Sequence, residues 1–405
     1  MPASASLSMP YPAYAEYPSA PGISAVQTDG GTVSVRWEDG LESRYHAIFL
    51  RDHAPDPDTF NFETREHSRE ADSYPAGLKV SQAAITEAGA LRLTFAPEGL
   101  NATFHSGWLR ANDYSNRVTQ DPAAIAPTPW RGETLSEIPT FEGANILTDE
   151  AALSDWLVAI AEYGLGRLRN VSTQDGTVLK VARRIGPVRT SNFGEIFDVK
   201  AKVSPDSNAY TGLALFPHTD LCTREYEPGL QFLHCIENSV PGGNALYIDA
   251  LAVAHDIRNE EPETFEALTA LPWSFSNRAK DTDYRWRTPI IVLGPDGEVA
   301  EIRLTGFLRS PPDLPFDDVP RAYAAMQALC TRLRDPKYAL SFAYAPGDLV
   351  CFDNRRILHG REAFDPGGGS RWLQGCYSER EELLSRIRVV ARGKACHSNQ
   401  RSQQS

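Results

Sequence analysis

The segment FPHTDL sets a histidine, His218, and a carboxylate, Asp220, two residues apart. Residues two apart on a strand point to the same face, so both side chains can reach one ion. A second histidine, His359, ends the apolar run in ILHG and is the best candidate for a third ligand. Two imidazoles and one carboxylate leave open positions on the metal, which suits non-haem Fe(II) oxygen chemistry. Two of those positions would take a bidentate 2-oxo acid, and the last O2. Twelve residues after His359 stands Arg371, in GSRWLQGCY. Its forked guanidinium matches the distal carboxylate of 2-oxoglutarate. An HxD pair alone is weak evidence, because 9 histidines among 405 residues form such pairs by chance. The ordered set of HxD, a distant histidine and a following arginine is far more specific.

These residues need strands to carry them. From residue 209 onward short strand-like runs dominate, broken by turn signals such as PGG at 241–243 and PDG at 295–297. The stretch LSFAYAPGDLVCFDNRRILHG reads as two strands around a Pro-Gly-Asp turn. Upstream, Leu153, Trp156, Leu157 and Ile160 follow helical spacing, with Gly164 at the expected end. Val178, Val181, Ala182 and Ile185 suggest a second helix, and Met326, Leu329 and Leu333 one near 318–334. Nearer the start, AVQT–DGG–TVSVRW–EDG–LESRYHAIFL alternates strands with Asp-Gly turns, and LKVSQAAIT, EAGALRLTF and LNATFHSGWLR follow.

The resulting fold class is α+β: a double-stranded β-helix (jelly-roll) with flanking helices, preceded by a small β-rich domain. The expected boundaries are a flexible arm at 1–22, the small domain at 23–112, a proline-bearing linker at 113–146, the catalytic domain at 147–392 and a flexible tail at 393–405.

Charge narrows the partners. With 53 Asp+Glu against 40 Lys+Arg, the formal net charge of -13 repels phosphate backbones, so no nucleic acid is expected. No apolar run is long enough to span a bilayer, and the start lacks the basic and apolar regions of a secretory signal. The 6 cysteines form no CxxC pair, which fits reduced thiols and a cytoplasmic setting.

Longer stretches carry a resemblance. SNFGEIFDV (191–199), DSNAYTGLALFPHTDL (206–221), PGLQFLHCI (228–236), EIRLTGFLR (301–309), CFDNRRILHGREAFDP (351–366) and RWLQGCYSEREELLSRIRV (371–389) resemble the γ-butyrobetaine dioxygenase-like family of the taurine dioxygenase-like superfamily. IFLRDHAPD (48–56) and HSGWLRAN (105–112) match its small domain. The resemblance implies Fe(II) on His218, Asp220 and His359, 2-oxoglutarate on Arg371, and stimulation by ascorbate. It also implies an aromatic cage for a trimethylammonium group at Phe193, Phe197, Tyr210 and Tyr377. Such a cation cannot donate a hydrogen bond, so aromatic faces are its natural partners. Asn208 is the candidate for the acid end of the substrate. A homodimer follows from the resemblance alone.

Two departures matter. Where the family's small domain holds zinc through cysteines and a histidine, this chain has Ala54, Asp56, Thr59 and Leu100, so no structural zinc is expected. Where the family uses an asparagine for the substrate carboxylate, this chain has Thr305 and Gly306. The leading expectation is hydroxylation of γ-butyrobetaine to L-carnitine. A trimethylammonium phosphonate, such as 2-(trimethylammonio)ethylphosphonate, is the alternative substrate, and a betaine-binding relative without catalysis is a third reading.

Overall fold

The structure, a computed structural model, describes residues 20–64, 66–116, 121–200 and 211–402, with 393–402 described by backbone alone. It divides into a unit of residues 1–124 with 391–405, and a unit of residues 125–390.

The smaller unit contains two three-stranded antiparallel sheets, Ile23–Thr28, Thr32–Trp37, Glu42–His46 and Lys79–Ile85, Leu91–Ala96, Leu100–Phe104. Alternation along the strands sends Val33, Val35, Trp37, Leu91, Leu93 and Phe95 into one core. The run LESRYHAIFL is not one strand. After His46 the chain turns helical over Ala47–Asp52, because Ala47, Leu50 and Arg51 bury one helical face. LNATFHSGWLR splits in the same way: His105 caps the helix Ser106–Ala111 by accepting from Gly107 N.

Two of the positions that the family resemblance assigns to zinc, Asp56 and Thr59, join an ion-pair network. The guanidinium of Arg51, 2% exposed, donates to Thr59 Oγ1 and, at 2.6 Å, to Glu98. Asp56 lies 3.6 Å from the same guanidinium, and Arg69 joins Glu98 at 2.8 Å. Asp52, His53 and His67 also stand within 4.8 Å of one another. There, however, Asp52 accepts from the Tyr74 hydroxyl at 2.7 Å, and His53 Nδ1 meets the Phe49 carbonyl at 2.9 Å.

The hydrogen bond from Arg51, chief among its contacts, holds the Glu98 carboxyl below the usual glutamate range. Its contribution is therefore complete above the ordinary glutamate pKa and is lost as pH falls through the depressed value. Glu98→Gln should weaken this unit by roughly 1–2 kcal/mol near neutral pH, since partial solvent access trims what a fully buried pair would cost. Urea unfolding of the full chain at two pH values checks this: the wild type should lose its advantage over the variant in acid.

The larger unit is built on two sheets. One has six strands in the order Phe197–Lys200, Arg371–Ser378, Leu230–Asn238, Leu349–Asp353, Leu165–Arg169, Thr140–Glu142. The other has four: Leu215–His218, Ile357–Arg361, Ala245–Asp249, Ala339–Phe342. Neighbours run antiparallel except Leu165–Arg169 with Thr140–Glu142. Leu165, Cys235, Tyr247, Leu340, Val350, Phe352 and Leu373, drawn from both sheets, share one core, as in a jelly-roll. A second core joins Ile248 and Leu358 to Val253, Ile257, Leu268, Met326 and Leu329 of the helices Ala250–Glu260, Pro262–Ala270 and Val319–Arg332. The helix Glu150–Tyr163 ends at Gly164, whose φ of 78° an L side chain resists.

Three expectations are corrected. The stretch ending in ILHG is three strands, not two: the chain leaves the six-stranded sheet at Asp353, turns, and enters the four-stranded sheet at Ile357. Residues 125–146, read as part of a linker, belong to the larger unit. They carry the strand Thr140–Glu142, the short helix Gly143–Ile146 and the buried anchors Trp130 and Ile138. Where a flexible tail was expected from 393, the helix Arg380–Ser402 continues.

Candidate active site

His218 and His359 are direct cross-strand partners between Leu215–His218 and Ile357–Arg361. Their ring centroids lie 4.3 Å apart. Register alone thus brings the two imidazoles together. Asp220 lies beyond the strand end, so alternation does not aim it. The chain turns at Leu221, whose φ of 60° places a branched residue in the left-handed region, at a cost of order 1 kcal/mol. Asn354, fully buried, holds that turn: its Oδ1 accepts from Asp220 N at 2.8 Å and its Nδ2 donates to Asp220 O at 3.1 Å. Asp220 Oδ1 comes to rest 3.4 Å from His218 Nε2 and 3.8 Å from His359 Nε2.

The protonation states suit a metal. His218 Nδ1 lies 2.8 Å from the Phe216 carbonyl, a contact that places a proton on Nδ1 and turns Nε2 toward Asp220, the nitrogen a metal would use. Burial, then the neighbouring His218, pushes His359 down to about 3, so its ring is neutral. Burial opposes ionisation of Asp220, yet the facing His359 and His218 and the Tyr377 hydroxyl hold its carboxyl well below the usual range. A carboxylate and two imidazoles, their ligand atoms within 4.8 Å of one another, fit one divalent cation.

A cavity of about 530 Å³ opens over this triad. One end is cationic. Arg371 Nε is buried without a hydrogen-bond partner among the described residues, and burial lowers the pKa of this guanidinium. Arg361, two residues past His359, lines the same end, and burial together with Arg371 pushes it down to about 10. Two desolvated guanidiniums there suit a dicarboxylate, and Arg371 has donors to offer it.

The other side is aromatic. The strand Arg371–Ser378 sends Arg371, Leu373 and Tyr377 to the cavity at strand spacing. The Tyr377 ring stacks on Phe197 at 5.0 Å, and Phe197 meets Phe193 at 6.3 Å. Phe197 faces Gly375 across the strands, and a Cβ at 375 would run into its ring. Of the expected site residues, the structure gathers His218, Asp220, His359, Arg371, Phe193, Phe197 and Tyr377 around one cavity. Tyr210 and Asn208 lie outside the described residues. Sequence reading missed Gln231, whose Nε2 donates to Asp220 Oδ2 at 2.8 Å. It also missed the bond from the Tyr377 hydroxyl to Asp220 Oδ2, at 2.8 Å. Thr305, noted for its departure, lines the cavity with a buried Oγ1 that has no hydrogen-bond partner among the described residues.

Among the described residues no helix is long and apolar enough to cross a membrane. Paired sheets around a cavity with a two-histidine, one-carboxylate cluster are the architecture of a non-haem oxygenase. Comparison with known proteins makes this specific. Residues 126–377 match the model of the taurine catabolism dioxygenase TauD, TfdA family, and residues 24–110 the γ-butyrobetaine hydroxylase-like N-terminal domain. A γ-butyrobetaine dioxygenase of Pseudomonas sp. (strain AK-1) is 38% identical over 94% of this chain and 99% of its own. The Homo sapiens γ-butyrobetaine dioxygenase is 28% identical over 88% of this chain and 94% of its own. The mitochondrial trimethyllysine dioxygenase of Gallus gallus is 29% identical over 90% and 88%. The chain belongs to the TauD, TfdA dioxygenase family. It is an enzyme, which sets aside the betaine-binding reading without catalysis.

Proposed function

We propose that this chain hydroxylates γ-butyrobetaine to L-carnitine, with Fe(II) on His218, Asp220 and His359 and 2-oxoglutarate on Arg371, carried by the double-stranded β-helix expected from its resemblance. The observation that carries the reading is the continuity of the aromatic row with the cluster: Phe193, Phe197 and Tyr377 follow one another, and the Tyr377 hydroxyl bonds to Asp220. A cation resting on those rings would hold the adjoining carbon chain beside the metal. When bound, iron and 2-oxoglutarate supply the oxidation, in which O2 converts the co-substrate to succinate and CO2 and delivers one oxygen atom to a C–H bond of the substrate.

The chain's own part is positional. Arg371 and Arg361 fix the co-substrate end by charge, the aromatic row fixes the ammonium end, and Thr305 offers a hydroxyl to a polar group in the cavity. Relatives named for γ-butyrobetaine span nearly the whole chain, so the phosphonate is the weaker reading. Ascorbate stimulation and a homodimer remain parts of the family expectation.

Succinate release tests the reading. γ-Butyrobetaine should drive it, whereas the neutral isostere with carbon in place of the quaternary nitrogen should lose on the order of 10–100-fold in kcat/KM, as several cation–π contacts are removed. Equal turnover of the two would overturn the cage. Turnover of the phosphonate alone would move the substrate and keep the site.

A further inference from the structure

Asp220 has two carboxylate oxygens, and the structure treats them differently. Oδ1 faces His218 Nε2 and His359 Nε2. Oδ2 accepts two hydrogen bonds of 2.8 Å each, from Gln231 Nε2 and from the Tyr377 hydroxyl. Gln231 and Tyr377 are direct cross-strand partners on Leu230–Asn238 and Arg371–Ser378, so sheet register sets both donors side by side. An ionised carboxylate only accepts, which assigns the amide orientation: Nε2 turns to Asp220, and Gln231 Oε1 is left buried without a partner among the described residues. Leaving that acceptor unmatched has a cost, and the bond to Asp220 offsets it.

We propose that Gln231 and Tyr377 form a two-donor clamp that occupies Asp220 Oδ2 and presents Oδ1 alone to the metal. The proposal rests on the iron reading above. A carboxylate free to bind through both oxygens would take up a coordination position that the bidentate co-substrate and O2 need. Gln231 is thereby a positioning residue acting through Asp220. Tyr377 has two separable functions: its ring is a wall for the quaternary ammonium, and its hydroxyl orients the metal's carboxylate. Because the ring survives in phenylalanine, the two can be pulled apart.

The experiment titrates metal-free wild type, Tyr377→Phe, Gln231→Met and Phe197→Leu with Co(II) without oxygen. It follows the Co(II) absorption spectrum for coordination and, separately, measures γ-butyrobetaine affinity by calorimetry. Thermal melts of the metal-free proteins establish that each variant folds; Tyr377→Phe removes a single oxygen atom. Tyr377→Phe and Gln231→Met should each bind Co(II) about 10-fold more weakly, with an altered spectrum, as expected when a partner of a metal ligand is lost. Tyr377→Phe should keep its γ-butyrobetaine affinity within about twofold, while Phe197→Leu should lose it and keep the metal. Wild-type metal affinity and spectrum in both clamp variants would overturn the proposal. So would a Tyr377→Phe protein that loses only substrate affinity. A wild type that takes up no Co(II) would refute the metal reading itself, a failure distinct from that of the clamp.

Discussion

Asp220→Ala should abolish succinate formation, by at least about a thousandfold, while leaving the protein folded. The two halves of this expectation have different causes. The carboxylate is the only acidic group of the three clustered candidate ligands, and without it two imidazoles would have to hold a divalent ion alone. The fold, by contrast, uses the backbone of residue 220. Asn354 bonds to its N–H and its carbonyl, and both bonds survive in alanine. Measuring succinate together with a thermal melt separates the two. Persistent succinate formation at the wild-type rate would remove Asp220 from the chemistry, whatever its geometry.

Arg371→Met should raise the concentration of 2-oxoglutarate needed for half-maximal rate by about 100-fold, the scale of 2–5 kcal/mol for a buried charge pair deprived of one member. Methionine fills similar volume without charge, so a side chain still reaches the Phe364 ring, which the Arg371 guanidinium overlies at 5.5 Å. The variant should melt no lower than wild type. Arg371 is desolvated beside Arg361, and its Nε has no hydrogen-bond partner among the described residues. Folding therefore gains little from this charge, and ligand binding gains much. Steady-state kinetics over a wide 2-oxoglutarate range checks this. An unchanged requirement would assign co-substrate binding to Arg361 or elsewhere, and a large loss of melting temperature would make Arg371 structural.

The helices Glu150–Tyr163 and Val319–Arg332 were readable in the sequence because their apolar residues repeat at one period over several turns. The candidate metal residues could be picked out because HxD, a distant histidine and an arginine stand in order along the sequence. What escaped was non-local. The break after Asp353 falls in the polar stretch DNRR, which holds no Gly or Pro to mark a turn, yet it moves the chain from one sheet to the other and frees Asn354 to staple Asp220. The aim of Asp220 itself came from a left-handed turn at Leu221, which no alternation rule foresees. Gln231 sat in PGLQFLHCI as one polar residue in a buried strand. Only the register with Tyr377 shows what it does, and Tyr377 reaches Asp220 across 157 residues of sequence. Trp130 and Ile138 were missed for a related reason: single anchors in a proline-bearing stretch have no periodicity to read.

Asp220 is held by four hydrogen bonds, two on its backbone and two on its carboxylate, all made within the chain itself. An ion entering such a site need not organise it, and an ion leaving does not unravel it, so metal exchange can proceed without refolding. The same rigidity carries a liability. Two imidazoles and a carboxylate bind nickel, copper or zinc more tightly than iron, following the general order of divalent affinities, and a preformed pocket does nothing to reverse that order. Which metal this enzyme carries is then decided by what its surroundings supply, and traces of zinc or nickel would act on it as competitive poisons that excess iron can displace.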